Sequence, residues 1–171
     1  GWGGQALQVL LLATGLREAG HAPVVCAPPN SDLVRRAREA NLPVADQCTF
    51  RRGFRPVTFV RDVRALRAIF VDNEMDLVHC HGSQDSWLSL CARACLLGRK
   101  RIAVVRTKHN SYPVQAHMCN RWLYGRALDR VITVAESIRQ EMLSVGVTNP
   151  SRVVTIHEIG RASCRERVYT K

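Results

Sequence analysis

The chain has 171 residues, 46% hydrophobic and 23% charged, enough for the core of one ordinary domain and too little for two large ones. Lys and Arg number 25 against 14 Asp and Glu, a formal charge of +11 that points to an anionic partner: nucleic acid, phosphorylated small molecules or an acidic membrane face. The longest apolar run, 9–13, is far short of a membrane span, and no signal-peptide pattern opens the chain. Seven cysteines without a CxxC pair read as reduced core thiols of a cytoplasmic protein.

The chain opens Gly1-Trp2-Gly3-Gly4, directly ahead of a helical stripe at Leu7, Leu10, Leu11 and Leu16, so the N-terminus reads as a truncation. This first helix covers 4–19 and ends at Gly20, where a C′ glycine belongs. A Val-rich strand over 21–27 is closed by Pro28-Pro29, and Ser31 is the expected N-cap of a helix over 32–40. A short strand at 43–45 leads into a basic, aromatic-bearing loop, 49–56 (TFRRGFRP), and a helix over 58–71. Next come a strand at 76–81 (DLVHCH), a helix over 86–97 ended by Gly98, and a strand at 101–107. A helix around 120–128, a strand at 131–134, a helix over 136–145 ended by Gly146 and a strand at 151–157 complete the series.

Short apolar strands separated by amphipathic helices are the signature of βαβ units. The expected fold class is therefore α/β, one domain over 1–157 with an open, doubly wound parallel sheet and helices on both faces. Residues 158–171 hold no core-forming cluster, and back-translation of 158–168 resembles read-through of a sequencing adapter, so they are expected to be a non-native tail. With four basic and two acidic residues, that tail accounts for +2 of the charge and leaves +9 on 1–157.

Ligands of such sheets bind beyond the carboxyl ends of the strands. Four segments fall there: 2–5 (WGGQ), 79–85 (HCHGSQD), 106–111 (RTKHNS) and 135–137 (AES). Gly3-Gly4 before a helix lets backbone approach an anion at the positive end of the helix dipole, although two glycines also make an ordinary turn. Strand alternation puts His79 and His81 on one side, with Asp85 one helical turn onward. A metal site there lacks further ligands; the other reading makes His79 a core histidine, His81 a cleft residue and Asp85 an N-cap of the helix at Ser86. His109 sits where the chain leaves a buried strand, among Lys108, Asn110 and Ser111. Arg51, Arg52 and Arg55 suit phosphates, lipid head groups or plain solvent.

Together these segments resemble the N-terminal domain of a GT-B glycosyltransferase of the family 4 type. The matching pieces are WGGQ and the following LATGLREAGHAPVVCAP within 2–28, DLVHCHGSQDSW at 76–87, VVRTKHNS at 104–111 and RALDRVITVAESIRQEML at 126–143. The resemblance implies one Rossmann-like half of a two-domain retaining enzyme of lipopolysaccharide or other cell-envelope polysaccharide synthesis. It implies a nucleotide-sugar donor and a glycan or lipid-linked acceptor, no metal and no separate cofactor.

By the same resemblance Gly3 and Gly4 lie near the donor phosphates and His109 lines the reaction centre. Gln5, His81, Ser83, Asp85, Lys108, Asn110 and Ser137 form the acceptor side. The first strand, upstream of Gly1, and the donor-binding second domain are expected outside this sequence. A nicotinamide- or nucleotide-dependent Rossmann enzyme is disfavoured by the absence of GxGxxG with an acidic partner. A basic non-catalytic binding module is disfavoured by the lack of any nucleic-acid motif, so no nucleic-acid partner is expected. The positive charge instead suits peripheral contact with the anionic inner face of the cytoplasmic membrane.

Overall fold

The computed structural model describes residues 2–51, 53, 55–96, 101–109 and 112–157. The expectations placed on Arg52, Gly98, Asn110, Ser111 and the 158–171 tail lie outside the described residues. The chain divides into two compact units, 1–106 and 107–171, and each is described by itself.

The first unit runs α1 (Gly4–Glu18), β1 (Val25–Cys26), α2 (Asp32–Glu39), β2 (Val44–Ala45), α3 (Pro56–Asp72), β3 (Leu77–Cys80), α4 (Ser83–Ala94) and most of β4 (Ala103–Lys108). β1 pairs parallel with β2, Val25 opposite Val44, and β3 pairs parallel with β4, Leu77 opposite Ala103 through Cys80 opposite Arg106. Strand alternation separates two cores. Val25 and Val44 pack with Ala13, Ala37 and Leu42 on the α1–α2 side, whereas Cys26 and Ala45 pack with Leu66, Phe70 and Leu88 on the α3–α4 side. Helices thus cover both faces of the β1–β2 pair, as the sequence predicts.

The second unit contains the end of β4, α5 (Met118–Trp122), a π-helical turn (Leu123–Ala127), β5 (Arg130–Thr133), α6 (Glu136–Ser144) and β6 (Val153–Thr155). β5 and β6 pair in parallel, Val131 opposite Val153. Every described pairing is parallel, and with six α-helices the fold is α/β and Rossmann-like.

Several boundaries differ from expectation for local reasons. Prolines at 23, 28 and 43 cannot donate to a ladder, so β1 and β2 shrink to two residues each. α3 begins two residues early because Pro56 occupies the first turn, where its fixed φ suits a helix. The helix expected over 120–128 is α-helical only to Trp122; Leu128 N–H then bonds the Leu123 carbonyl in the wider π pattern. The thiols are also less uniform than expected. Cys48 and Cys80 are buried, but Cys95, the C-cap of α4, and Cys119, in α5, are exposed.

One core feature was not foreseen. Asp62 is 1% exposed, and its Oδ2 accepts from Thr49 N (3.1 Å), Thr49 Oγ1 (2.8 Å) and Phe50 N (3.1 Å). This carboxylate pins the start of the basic loop to α3 and holds Phe50 at φ 46°.

Candidate functional site

In the first unit, the carboxyl end of β3 turns into α4 through Gly82. The Asp85 carboxylate reaches back to His81 N (2.7 Å) and Gly82 N (2.9 and 3.0 Å) and also accepts from Ser86 N (2.9 Å). Asp85 is therefore the third residue of α4, the reach-back half of a capping box, and not the N-cap of a helix starting at Ser86. α4 starts three residues earlier than expected because that carboxylate organises the turn. A Cβ on Gly82 would lie 3.1 Å from Asp85 Oδ1, so a larger residue there would press the carboxylate back. Ser86 Oγ closes the turn from inside by donating to the Gly82 carbonyl at 2.6 Å.

The two β3 histidines lie on one side, as alternation predicts, with ring centroids 4.4 Å apart and planes 23° from parallel. Both are half-buried. His79 is thus less enclosed than the expected core histidine, since it belongs to a stacked pair. Among the described residues no three His, Cys, Asp or Glu side chains group as a metal site. Burial, then the neighbouring Asp85 charge, pushes the Cys80 thiol up to about 12, which leaves it an inert protonated core group.

The α1 N-terminus lies beside this turn, because Gln5 Nε2 donates to the His81 carbonyl at 3.0 Å. Gly3 is the N-cap in extended geometry, and no side chain caps the helix. A Cβ on Gly3 or Gly4 would meet nothing within 4 Å. Among the described residues neither glycine has a packed neighbour at its Cβ position or a positive φ, and no side chain caps the first turn of this 15-residue helix. The preceding Trp2 ring is held by the Arg36 guanidinium, 4.1 Å from the ring centroid. Ser83, in the first turn of α4, accepts from Arg106 NH2 at 3.1 Å, which brings the basic end of β4 to the same turn.

In the second unit, Lys108 is 4% exposed and its Nζ donates to the Tyr112 carbonyl at 2.7 Å, closing the chain as it leaves β4. His109 follows it, half-buried. Ser137 is exposed in the first turn of α6.

Its neighbour Glu136 was not singled out from the sequence. Glu136 accepts from Thr155 Oγ1 (2.7 Å), Gln140 Nε2 (2.6 Å) and Arg139 NH1 (2.9 Å). These bonds, Thr155 first, hold its carboxyl down to about 2. Thr133 and Thr155 hydroxyls lie 3.1 Å apart, so the strand ends of β5 and β6 are joined to α6 by one polar chain. An acidic residue opening a helix after a strand was the available signal.

The β3–α4 turn, with the glycine-bearing start of α1 beside it, belongs to a Rossmann-like α/β unit. The sequence matches Glycosyltransferase Family 4 over residues 2–158, and the chain belongs to that family. None of the curated proteins matches it. Among solved structures it resembles a glycosyltransferase from Rickettsia africae ESF-5 (17% identity, TM-score 0.73, covering 90% of this chain and 38% of that one). It also resembles Acinetobacter baumannii MurG (21%, TM-score 0.63, 94% and 43%). A Listeria monocytogenes protein assigned as a UDP-N-acetylglucosamine 2-epimerase shares the fold too (15%, TM-score 0.61, 87% and 41%). At these identities the likeness shows the fold alone. The chain spans about two fifths of the length of each of these structures.

Proposed function

We propose that residues 1–157 are the acceptor-side half of a retaining glycosyltransferase. It moves a sugar from a nucleotide-sugar donor to a glycan or lipid-linked acceptor of the cell envelope. The observation that carries this reading is the uncapped α1 N-terminus with two glycines that the fold does not itself require. Oriented amides at a helix start stabilise the charge that develops on a leaving nucleoside diphosphate. On this reading Gly3 and Gly4 approach the donor phosphates, and His109 hydrogen-bonds at the reaction centre.

Gln5, His81, Lys108, Asn110 and Ser137 orient the acceptor hydroxyl. Ser83 and Asp85 serve mainly by placing the backbone of the β3–α4 turn. A strand ahead of Gly1 and a donor-binding second domain complete the enzyme, with 158–171 no part of it. The reaction requires no metal or further cofactor. The protein works on the cytoplasmic side, peripheral to an anionic membrane where lipid-linked acceptors reside; no helix among the described residues is long and apolar enough to cross one.

The test begins with the source DNA, amplified beyond the codons for Gly1 and His157. A reading frame continuing into a second α/β domain, followed by turnover of a nucleotide sugar, supports the proposal. In that protein His109→Ala should lower kcat by roughly 10²-fold or more with unchanged circular dichroism and Tm. Unchanged kcat, or a frame that stops after Lys171, would overturn it.

A further inference from the structure

We infer that Cys91 and Cys95, one helical turn apart at the C-terminal end of α4, form a dithiol site for a soft, two-coordinate monovalent cation of the copper(I) or silver(I) class. The inference is independent of the transferase reading above. Cys91 is half-buried and packs against the α3–α4 core, whereas Cys95, the C-cap, is exposed. Cys95 N–H bonds the Cys91 carbonyl at 3.2 Å, so helical spacing holds through this last turn.

Side chains four apart on a helix share a face, with Cβ atoms about 5–6 Å apart. Two metal–sulfur bonds of about 2.3 Å span up to about 4.6 Å between sulfurs, a separation that rotation about the two Cα–Cβ bonds supplies. The two groups already sense one another. Burial first, then the neighbouring Cys95, raises the Cys91 thiol, which stays protonated until a cation displaces the proton.

Coordination number selects the ion. Among the described residues no third His, Cys, Asp or Glu side chain joins the pair, whereas structural zinc takes four ligands. Thiolates are soft donors, and copper(I) and silver(I) accept two of them in line. Binding forms two metal–sulfur bonds and releases both S–H protons to water, with no change of oxidation state. The resulting bis-thiolate complex carries one negative charge. Arg67, on α3, donates from Nε to the Cys95 carbonyl at 3.2 Å, which puts a guanidinium at the same turn to offset that charge. A second pair of thiols, Cys26 and Cys48, hydrogen-bond to each other, but Cys48 is 0% exposed, which closes that pair to an entering ion.

The experiment titrates the full, reduced chain with copper(I) under anaerobic conditions against bicinchoninate as a competing chelator. Circular dichroism confirms the fold of each variant. The unmodified chain should take one equivalent from the chelator and show two sulfur neighbours by X-ray absorption. Cys95→Ser, at an exposed position, should weaken binding about 10²-fold or more, because the second thiolate of a chelate acts at high effective concentration. Cys91→Ser should match it. Cys26→Ser, and Cys119→Ser combined with Cys164→Ser, should leave binding unchanged.

Failure to hold one equivalent against the chelator overturns the inference, as does binding that survives both α4 substitutions. A loss of equal size with Cys26→Ser, or a metal-bridged dimer in size-exclusion chromatography, overturns it too. None of these readouts needs a donor sugar or turnover.

Discussion

The two helix starts at the carboxyl side of the first unit, α1 and α4, solve the same electrostatic problem in opposite ways. Each exposes four amides with no intrahelical partner. At α4 the chain supplies its own anion: Asp85 accepts from the N-cap amide of Gly82 and from His81 N and Ser86 N on either side of the turn. At α1 no side chain among the described residues caps the start, although Gly4, the first helical residue, needs no positive φ and is intrinsically poor in a helix. A helix start that carries its own anion stabilises the fold; on the function proposed above, the one without a side-chain cap is kept for a ligand. The tie between them, Gln5 to the His81 carbonyl, keeps the open site in register with the filled one.

Substitutions sharpen this contrast. Asp85→Ala should cost about 3 kcal/mol in denaturant-midpoint measurements, because it orphans charge-assisted amide bonds at a half-buried turn. A loss under 1 kcal/mol would mean that the turn is held by Ser86 alone. Gly82→Ala should cost about 1–2 kcal/mol, since its Cβ meets Asp85 Oδ1 at 3.1 Å and the carboxylate must yield.

Ser31→Ala removes the ordinary cap of α2, whose hydroxyl accepts from Val34 N at 3.3 Å, and should cost about 1 kcal/mol. Gly4→Ala should carry the opposite sign, raising Tm through a gain of up to about 1 kcal/mol. The same change should weaken nucleotide-sugar binding in the complete enzyme; if both stability and binding are untouched, the open-site argument fails.

The smallest effect is expected at α6. Glu136, held from an ordinary 4.5 down to about 2, stabilises the folded state fully above pH 4.5 and loses that contribution as pH falls from 4.5 toward 2. Thr155→Val removes its leading hydrogen bond and should flatten the stability slope in that window, as read by denaturant titration at successive pH values. The carboxylate is half-exposed, so the change in slope is small.

Much of this was legible in residue order. Ser31 before an amphipathic stretch announced α2, and Gly20 and Gly146 announced helix ends that indeed adopt φ of 86° and 66°. The positions of His81 at the end of β3 and of Lys108 and His109 at the end of β4 followed from alternation of the elements alone. The sequence places the start of α4 at Ser86 with Asp85 as its cap, but a glycine followed three residues later by a carboxylate also fits a reach-back turn, and the structure has the latter. The π turn after Trp122 gave no periodic signal. Its carbonyls and that of its C-cap are met by donors distant in sequence, Thr148 Oγ1 donating to the Tyr124 carbonyl and Arg152 NH1 to the Leu128 carbonyl.

The sequence by itself determined the parallel α/β class, the family and the candidate loops, because these rest on local periodicity and on short motifs whose spacing survives without coordinates. Only the tertiary structure decided which amides are already satisfied, that Asp62 pins the basic loop from inside the core, and that Glu136 is tied to Thr155. The last two depend on groups 13 and 19 residues apart in the chain, and each hydrogen bond is a matter of a few tenths of an ångström that no linear pattern encodes.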